Sequence, residues 1–247
     1  MGVWAGIARP NTHNFLLNCV TPISLIHPVD TRGVLTMIQI RDVLQVKFGK
    51  IDQAVGLFTQ LKTPEAEKIV MGGHFEVLTD ITGTMYTLVN ESVYESLAEF
   101  AEMRDRQFAR PEFEAWFKQF QLFVEGGRRE YYNIEGTFDT WSRPGVVVVR
   151  ETYRAYKWQI HRAVELLQRY GGLLVDRGVG LNPRILTDAS GTMFQAIIEI
   201  ETESMSAWEN ARRTLFRQVE FQVWFNQMLA AVEAGSHEFY RVEYTSG

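Results

Sequence analysis

The sequence predicts an α+β fold in which two copies of a β-α-β-β-α-β unit close into one intramolecular barrel. Three observations predict it. The second half repeats the first: residues 78–135 align without a gap onto 186–243 at an offset of 108, with 22 of 58 paired residues identical. Each copy reads as strand, helix, two strands, helix, strand. One such unit alone leaves a sheet face uncovered, and pairing the units sheet to sheet covers it.

In the first unit, Met37 to Phe48 alternates, with Ile38, Ile40, Leu44 and Val46 on one face and Gln39, Arg41 and Gln45 on the other, the period of a strand. Gly49-Lys50 ends it. Ile51, Ala54, Val55, Phe58 and Leu61 then follow helical spacing, and Thr63-Pro64 stops that helix. Val70 to Leu78 and Thr84 to Asn90 read as strands joined through Thr79-Asp80-Ile81-Thr82-Gly83, residues suited to a hairpin turn. A helical stretch from Val93 to Val124 is interrupted near Pro111, and Gly126-Gly127 terminates it. Arg128 to Glu135 forms the last strand.

The second unit repeats this order over Val146–Tyr153, Trp158–Tyr170, Gly172–Leu186, Thr192–Ile200, Ser204–Ala234 and His237–Tyr244. Between the first strands and helices the offset becomes 109, so Arg41 meets Arg150 and Ile51 meets Ile160. The pattern is that of ferredoxin-like units. The expected division is an irregular leader over 1–35, ferredoxin-like repeat 1 over 36–136, a linker over 137–145 and repeat 2 over 146–247.

A net charge of −5 across 247 residues shows no basic stripe for nucleic acid or an anionic membrane. The single cysteine, Cys19, excludes an intrachain disulfide and a cysteine-based metal cage. No apolar run reaches the ~20 residues of a membrane-spanning helix, and the expectation is a cytoplasmic protein. Five scattered histidines lack helix-spaced pairs, and neither a Gly-x-Ser-x-Gly elbow nor a phosphate-binding glycine loop is present. No metal is expected.

Gln39-Ile40-Arg41-Asp42-Val43-Leu44 followed by Gly49-Lys50-Ile51-Asp52, with Arg104 through Pro111-Glu112-Phe113 to Trp116 and its copy Arg212 through Glu220-Phe221 to Trp224, resembles the dimeric α+β barrel superfamily. Within it the chain is similar to NIPSNAP-like and antibiotic-biosynthesis-monooxygenase-like proteins. The resemblance covers residues 37–244 and implies a barrel with helices outside. Relatives include cofactor-free monooxygenases, haem-handling enzymes and small isomerases. The second unit departs by placing Trp158 where the first has Gly49. No histidine matches a haem ligand, so no cofactor is expected.

Candidate chemistry falls into two groups. Glu130, Tyr132, Glu238 and Tyr240 share one face of the two last strands; if that face is the barrel interior, they meet Arg41 and Arg150 as ligand-binding groups or as Arg–Glu pairs across the sheets. The second group lies where the copies differ: His74 aligns with Asn182, Tyr86 with Phe194, Leu88 with Ala196, Asn90 with Ile198, Tyr131 with Phe239 and Arg129 with His237. A duplicated barrel is free to keep one pocket and fill the other. His74 and Tyr86 are the candidates to position or protonate a substrate, with Arg41 or Arg150 stabilising negative charge. Two functions follow: a small-molecule-binding barrel acting as a cofactor-independent monooxygenase-like or isomerase-like enzyme on a small hydrophobic compound, or a non-catalytic scaffold with a packed interior. The fusion removes the usual reason to dimerise but leaves helix faces exposed, so both monomer and homodimer fit.

Overall fold

The computed structural model describes residues 37–246 except Lys62 and Asp139; the expected leader over 1–35 lies outside the described residues. The first repeat comprises β1 (Ile38–Val46), α1 (Ile51–Thr59), α2 (Pro64–Met71), β2 (Phe75–Asp80), β3 (Thr87–Tyr94), α3 (Leu97–Phe108), α4 (Pro111–Phe120) and β4 (Val124–Ile134). The second comprises β5 (Val147–Ala155), α5 (Ile160–Asp176), β6 (Leu181–Asp188), β7 (Gln195–Thr202), α6 (Met205–Leu215), α7 (Val219–Ala231) and β8 (Val232–Thr245).

The strands form a closed barrel in the order β1-β3-β2-β8-β5-β7-β6-β4. All neighbours are antiparallel, so each repeat contributes a four-stranded sheet. The seams between repeats are β2 with β8, where Leu78 faces Val242, and β4 with β6, where Ile134 faces Leu186. Closure removes the unpaired edges that each sheet alone would expose.

Local chemistry explains the boundaries. In both hairpins an aspartate closes the turn: Asp80 Oδ1 accepts the Thr87 N–H and Asp188 Oδ1 accepts the Gln195 N–H, each at 2.7 Å. Ser96 and Ser204 cap α3 and α6 by accepting N–H groups at 3.1 Å from Glu99 and Ala207. Thr63-Pro64 ends α1 as expected but also starts α2, because Thr63 Oγ1 accepts the Ala66 N–H at 3.1 Å and Pro64 occupies the first turn. That helix takes up Val70 and Met71, so β2 begins only at Phe75. Gly126-Gly127, expected as a helix stop, lies inside β4. Gly171-Gly172, expected at a boundary, lies within α5, where a Cβ on Gly171 would sit 2.9 Å from Pro183 Cβ.

Each sheet packs its outer face on its own helices. In the first repeat Phe58, Val77, Leu88, Phe113 and Phe120 form that core; in the second, Leu166, Leu174, Ile198, Trp208, Phe221 and Trp224 do. Trp116 Nε1 donates to the Leu57 carbonyl at 3.1 Å, and its counterpart Trp224 donates to Leu166 at 2.7 Å, so one tryptophan in each repeat ties the last helix to the first.

Candidate functional site

The residues facing the barrel axis fill it. An apolar cluster lines each seam: Val43, Leu78, Val89, Val148, Tyr240 and Val242 at one, Tyr132, Ile134, Leu186 and Ile197 at the other. Between them lies a buried ion network. Arg41 Nε donates to Glu91 at 2.8 Å and its Nη1 to Glu130 at 3.3 Å, while Arg150 donates to Glu199. Arg184 reaches Glu76 at 3.2 Å, Glu91 at 3.4 Å and the Gln39 side-chain Oε1 at 2.9 Å. Each repeat's arginine also lies over the other's tyrosine, Arg41 at 5.0 Å from the Tyr240 ring centroid and Arg150 at 4.9 Å from Tyr132.

Six of the residues expected to form a site thus lie on the inner face, and five of them meet there. Tyr132 Oη donates to Glu130 at 3.0 Å. The expected Arg–Glu pairing across the sheets takes a different form: Arg41 and Arg150 pair with glutamates of their own sheets, and the crossing contacts include the stacked tyrosines, Arg184 and the Gln39 amide, which donates to Glu199 at 3.3 Å. Glu238 pairs with no arginine among the described residues; it lines a cavity of about 270 Å³ at the barrel mouth with Asp80, Thr82, Arg128 and Tyr240. His74 and Tyr86 do not meet. His74 is exposed just before β2, and Tyr86 precedes β3 at the opposite end of the hairpin pair, against Phe48 at 4.8 Å. Six residues of strand separate them, roughly 20 Å at the usual rise.

Sequence reasoning missed Gln39, Glu76, Glu91, Arg184 and Glu199 as members of this network. A signal was present: Glu91 and Glu199 are identical at offset 108, and Glu199 stands among the apolar Ala196, Ile197, Ile198 and Ile200, a pattern a solvated face would not require.

A second space lies outside the barrel. In the first repeat the outer face of β1, β3 and β4 stands off from α3 and α4 and leaves a cavity of about 540 Å³. Its wall is largely aromatic, from Phe58, Tyr94, Phe100, Phe113, Trp116 and Phe120. Polar groups enter from the sheet: Asp42, Asn90, Ser92 and Arg129. Asp42 and Arg129 form a two-pronged pair at 2.5 and 2.7 Å, and Arg129 lies 5.0 Å from the Phe100 ring centroid. Asn90 Oδ1 is buried and accepts no hydrogen bond among the described residues; an acceptor left so costs about 1–3 kcal/mol until a donor arrives.

The matching space in the second repeat is occupied by the protein itself. Tyr153 stands for Leu44, Tyr170 for Leu61, Ile198 for Asn90, Ile200 for Ser92 and Trp208 for Phe100. Tyr170 stacks on Trp224 at 4.2 Å. Tyr153 and Tyr170 donate to Glu151 at 2.6 and 3.4 Å. Burial pushes both phenols well above their usual range, the Glu151 charge adds to this, and Arg212 opposes it.

Neither a protein-family model nor a curated relative matches the chain in sequence. Solved structures match in fold. A proposed monooxygenase from Fusobacterium nucleatum subsp. nucleatum superposes over 87% of this chain and 95% of its own, with a TM-score of 0.64 at 11% identity. An anthrone oxidase-like protein covers 85% and 93% with a TM-score of 0.61 at 14% identity. A NIPSNAP family protein from Agrobacterium tumefaciens covers 38% of this chain and 90% of its own, with a TM-score of 0.34 at 15% identity.

Proposed function

We propose, for a chain with the fold of the dimeric α+β barrel superfamily, that it binds a small, largely apolar molecule between the sheet and helices of its first repeat. The single observation that carries this reading is the asymmetry of the copies. Where the second repeat packs two tyrosines, two isoleucines and a tryptophan, the first keeps an aromatic-walled cavity of about 540 Å³ with an unpaired amide oxygen in its wall. Apolar walls with a few fixed polar groups are the usual build of a small-molecule site. The barrel interior serves as scaffold on this reading, since Arg41, Arg150 and Arg184 are taken up by Glu76, Glu91, Glu130 and Glu199.

A cofactor-independent oxygenase or isomerase step on the bound molecule is the finer form of the proposal, and the names of two fold neighbours favour the oxygenase form. Asn90 and the Asp42–Arg129 pair then take the polar roles in place of His74 and Tyr86. Arg41 and Arg150 face the barrel axis and not this cavity.

The test copies the second repeat into the first. Leu44→Tyr with Asn90→Ile fills the cavity with the side chains that Tyr153 and Ile198 supply opposite. Trp116 lines the cavity, and its fluorescence reports occupancy. A panel of small aromatic compounds is expected to quench the parent saturably and to leave the filled variant unaffected. Equal quenching of both proteins would place the ligand elsewhere and overturn the assignment.

A further inference from the structure

Helix α3 places Phe100, Met103, Arg104, Gln107 and Phe108 on its cavity side, at the spacing of one helical face. A charged residue inside that apolar stripe is the feature to explain. Three arginines and one aspartate line the cavity, giving it a charge of +3 − 1 = +2 in a chain of net charge −5. Two of those arginines are committed. Arg129 is held by Asp42, and Arg128 Nε donates to Glu130 at 2.7 Å. Arg104 forms no ion pair among the described residues and is exposed at the cavity's edge.

The second repeat shows what such a space accommodates. Tyr153 and Tyr170 share the Glu151 carboxylate there, while Arg212, the counterpart of Arg104, lies 4.8 Å from the Phe216 ring centroid and its charge opposes the rise in both phenol pKa values. Aromatic rings carrying oxygen, joined to one negative charge, fill the space that the first repeat leaves open. In the first repeat the rings are absent, Asp42 is drawn off by Arg129, and Arg104 is left without an anion.

We propose that the ligand of the first repeat is an aromatic anion, its rings lying among Phe100, Phe113 and Trp116, its ionised oxygen group at Arg104, and a hydroxyl or N–H donor reaching Asn90 Oδ1. This rests on the binding reading above and adds the ligand's charge and polarity. A neutral hydrocarbon would leave Asn90 Oδ1 without a donor and Arg104 without an anion, and a cation would face an excess of positive charge.

Two probes with the same phenylnaphthylamine body separate the claims: 8-anilinonaphthalene-1-sulfonate, which is anionic, and N-phenyl-1-naphthylamine, which is neutral. Fluorescence titrations use the full-length parent, Arg104→Gln and the filled variant Leu44→Tyr/Asn90→Ile. The parent is expected to bind the anionic probe about tenfold or more tightly than the neutral one, the usual gain of a charge-assisted contact. Arg104→Gln should lose that preference while keeping its affinity for the neutral probe, and the filled variant should bind neither. Equal affinity of the parent for both probes, or an Arg104→Gln preference like the parent's, overturns the anionic class alone. If neither probe binds the parent, or the filled variant binds as the parent does, the underlying site assignment fails with it.

Discussion

Glu91 is buried on the barrel axis between two arginines and close to a second carboxylate. Burial raises its pKa, Glu199 raises it further, and Arg41 and Arg184 pull it down; the balance pushes Glu91 up to about 8. Glu199 is buried as deeply, yet Arg150, Arg184 and Arg41 together outweigh that burial and hold it below the usual carboxylate range. These shifts have opposite consequences for stability. A native state that keeps a proton on Glu91 binds more protons than the unfolded chain, so stability falls as pH rises from the ordinary carboxylate range to about 8. Glu199 contributes stability at neutral pH that is lost as pH falls through its lowered native pKa. Glu91→Gln removes the first effect and leaves the second. Urea unfolding from pH 5 to 8 is expected to show declining stability in the parent and a flatter profile in Glu91→Gln. A parallel decline in both proteins would assign the slope to another group.

At the scale of elements, the turn between the first strand and first helix of each repeat poses the same backbone problem and receives two answers. Gly49 holds φ at 70°, a left-handed conformation that costs glycine nothing. Trp158 occupies the matching position at φ 72° with 80% of its surface exposed. A side chain in that region costs about 1–2 kcal/mol, and the Lys157 ammonium, 5.4 Å from the Trp158 ring centroid, returns only part of it. Trp158→Gly is therefore expected to stabilise the protein by about 1 kcal/mol in chemical denaturation. A loss of stability would mean that the exposed indole makes contacts worth more than the strain. The order and type of strands and helices were legible in the sequence because the hydrophobic period changes sharply between them. Helix α2 was not, because Thr63-Pro64 ends one helix and begins the next with the same two residues, and periodicity cannot separate those roles.

At the scale of the whole molecule, the repeat made the barrel legible, and that barrel closes within one chain. Its interior was legible in part: the alternation of Glu130 and Tyr132 put them on one face with Arg41, but strand register was needed to show which glutamates arginines would reach. The outer cavity was foreshadowed by the differences of Asn90 from Ile198, Arg129 from His237 and Tyr131 from Phe239, but its volume was not, since a cavity is a property of what neighbouring helices fail to fill. His74, singled out by the same kind of difference, had no geometry to distinguish it from a solvated strand end.

Duplication also permits a contact that two identical chains could not make. Glu76 and Arg184 match at offset 108, and across the barrel they pair with each other at 3.2 Å. Two identical units would bring like charges together at this position, and the buried repulsion would oppose closure. Fusion frees each copy to change one partner, and the pair then ties the two sheets together. Arg184→Glu leaves five carboxyl groups (Glu76, Glu91, Glu130, Glu199 and the new one) facing Arg41 and Arg150, so a loss of about 3–5 kcal/mol is expected. Glu76→Arg is expected to lose a similar amount and also gives up the Ser142 N–H bond to Glu76 Oε2 at 3.3 Å. Combining the two changes restores opposite charges with their positions exchanged. Denaturation of all four proteins is expected to show a favourable coupling above about 1.5 kcal/mol, with recovery kept incomplete by the lost Ser142 bond. Additive losses would show that the two sites act independently, and that the barrel is held shut by its apolar seams instead of by this exchanged pair.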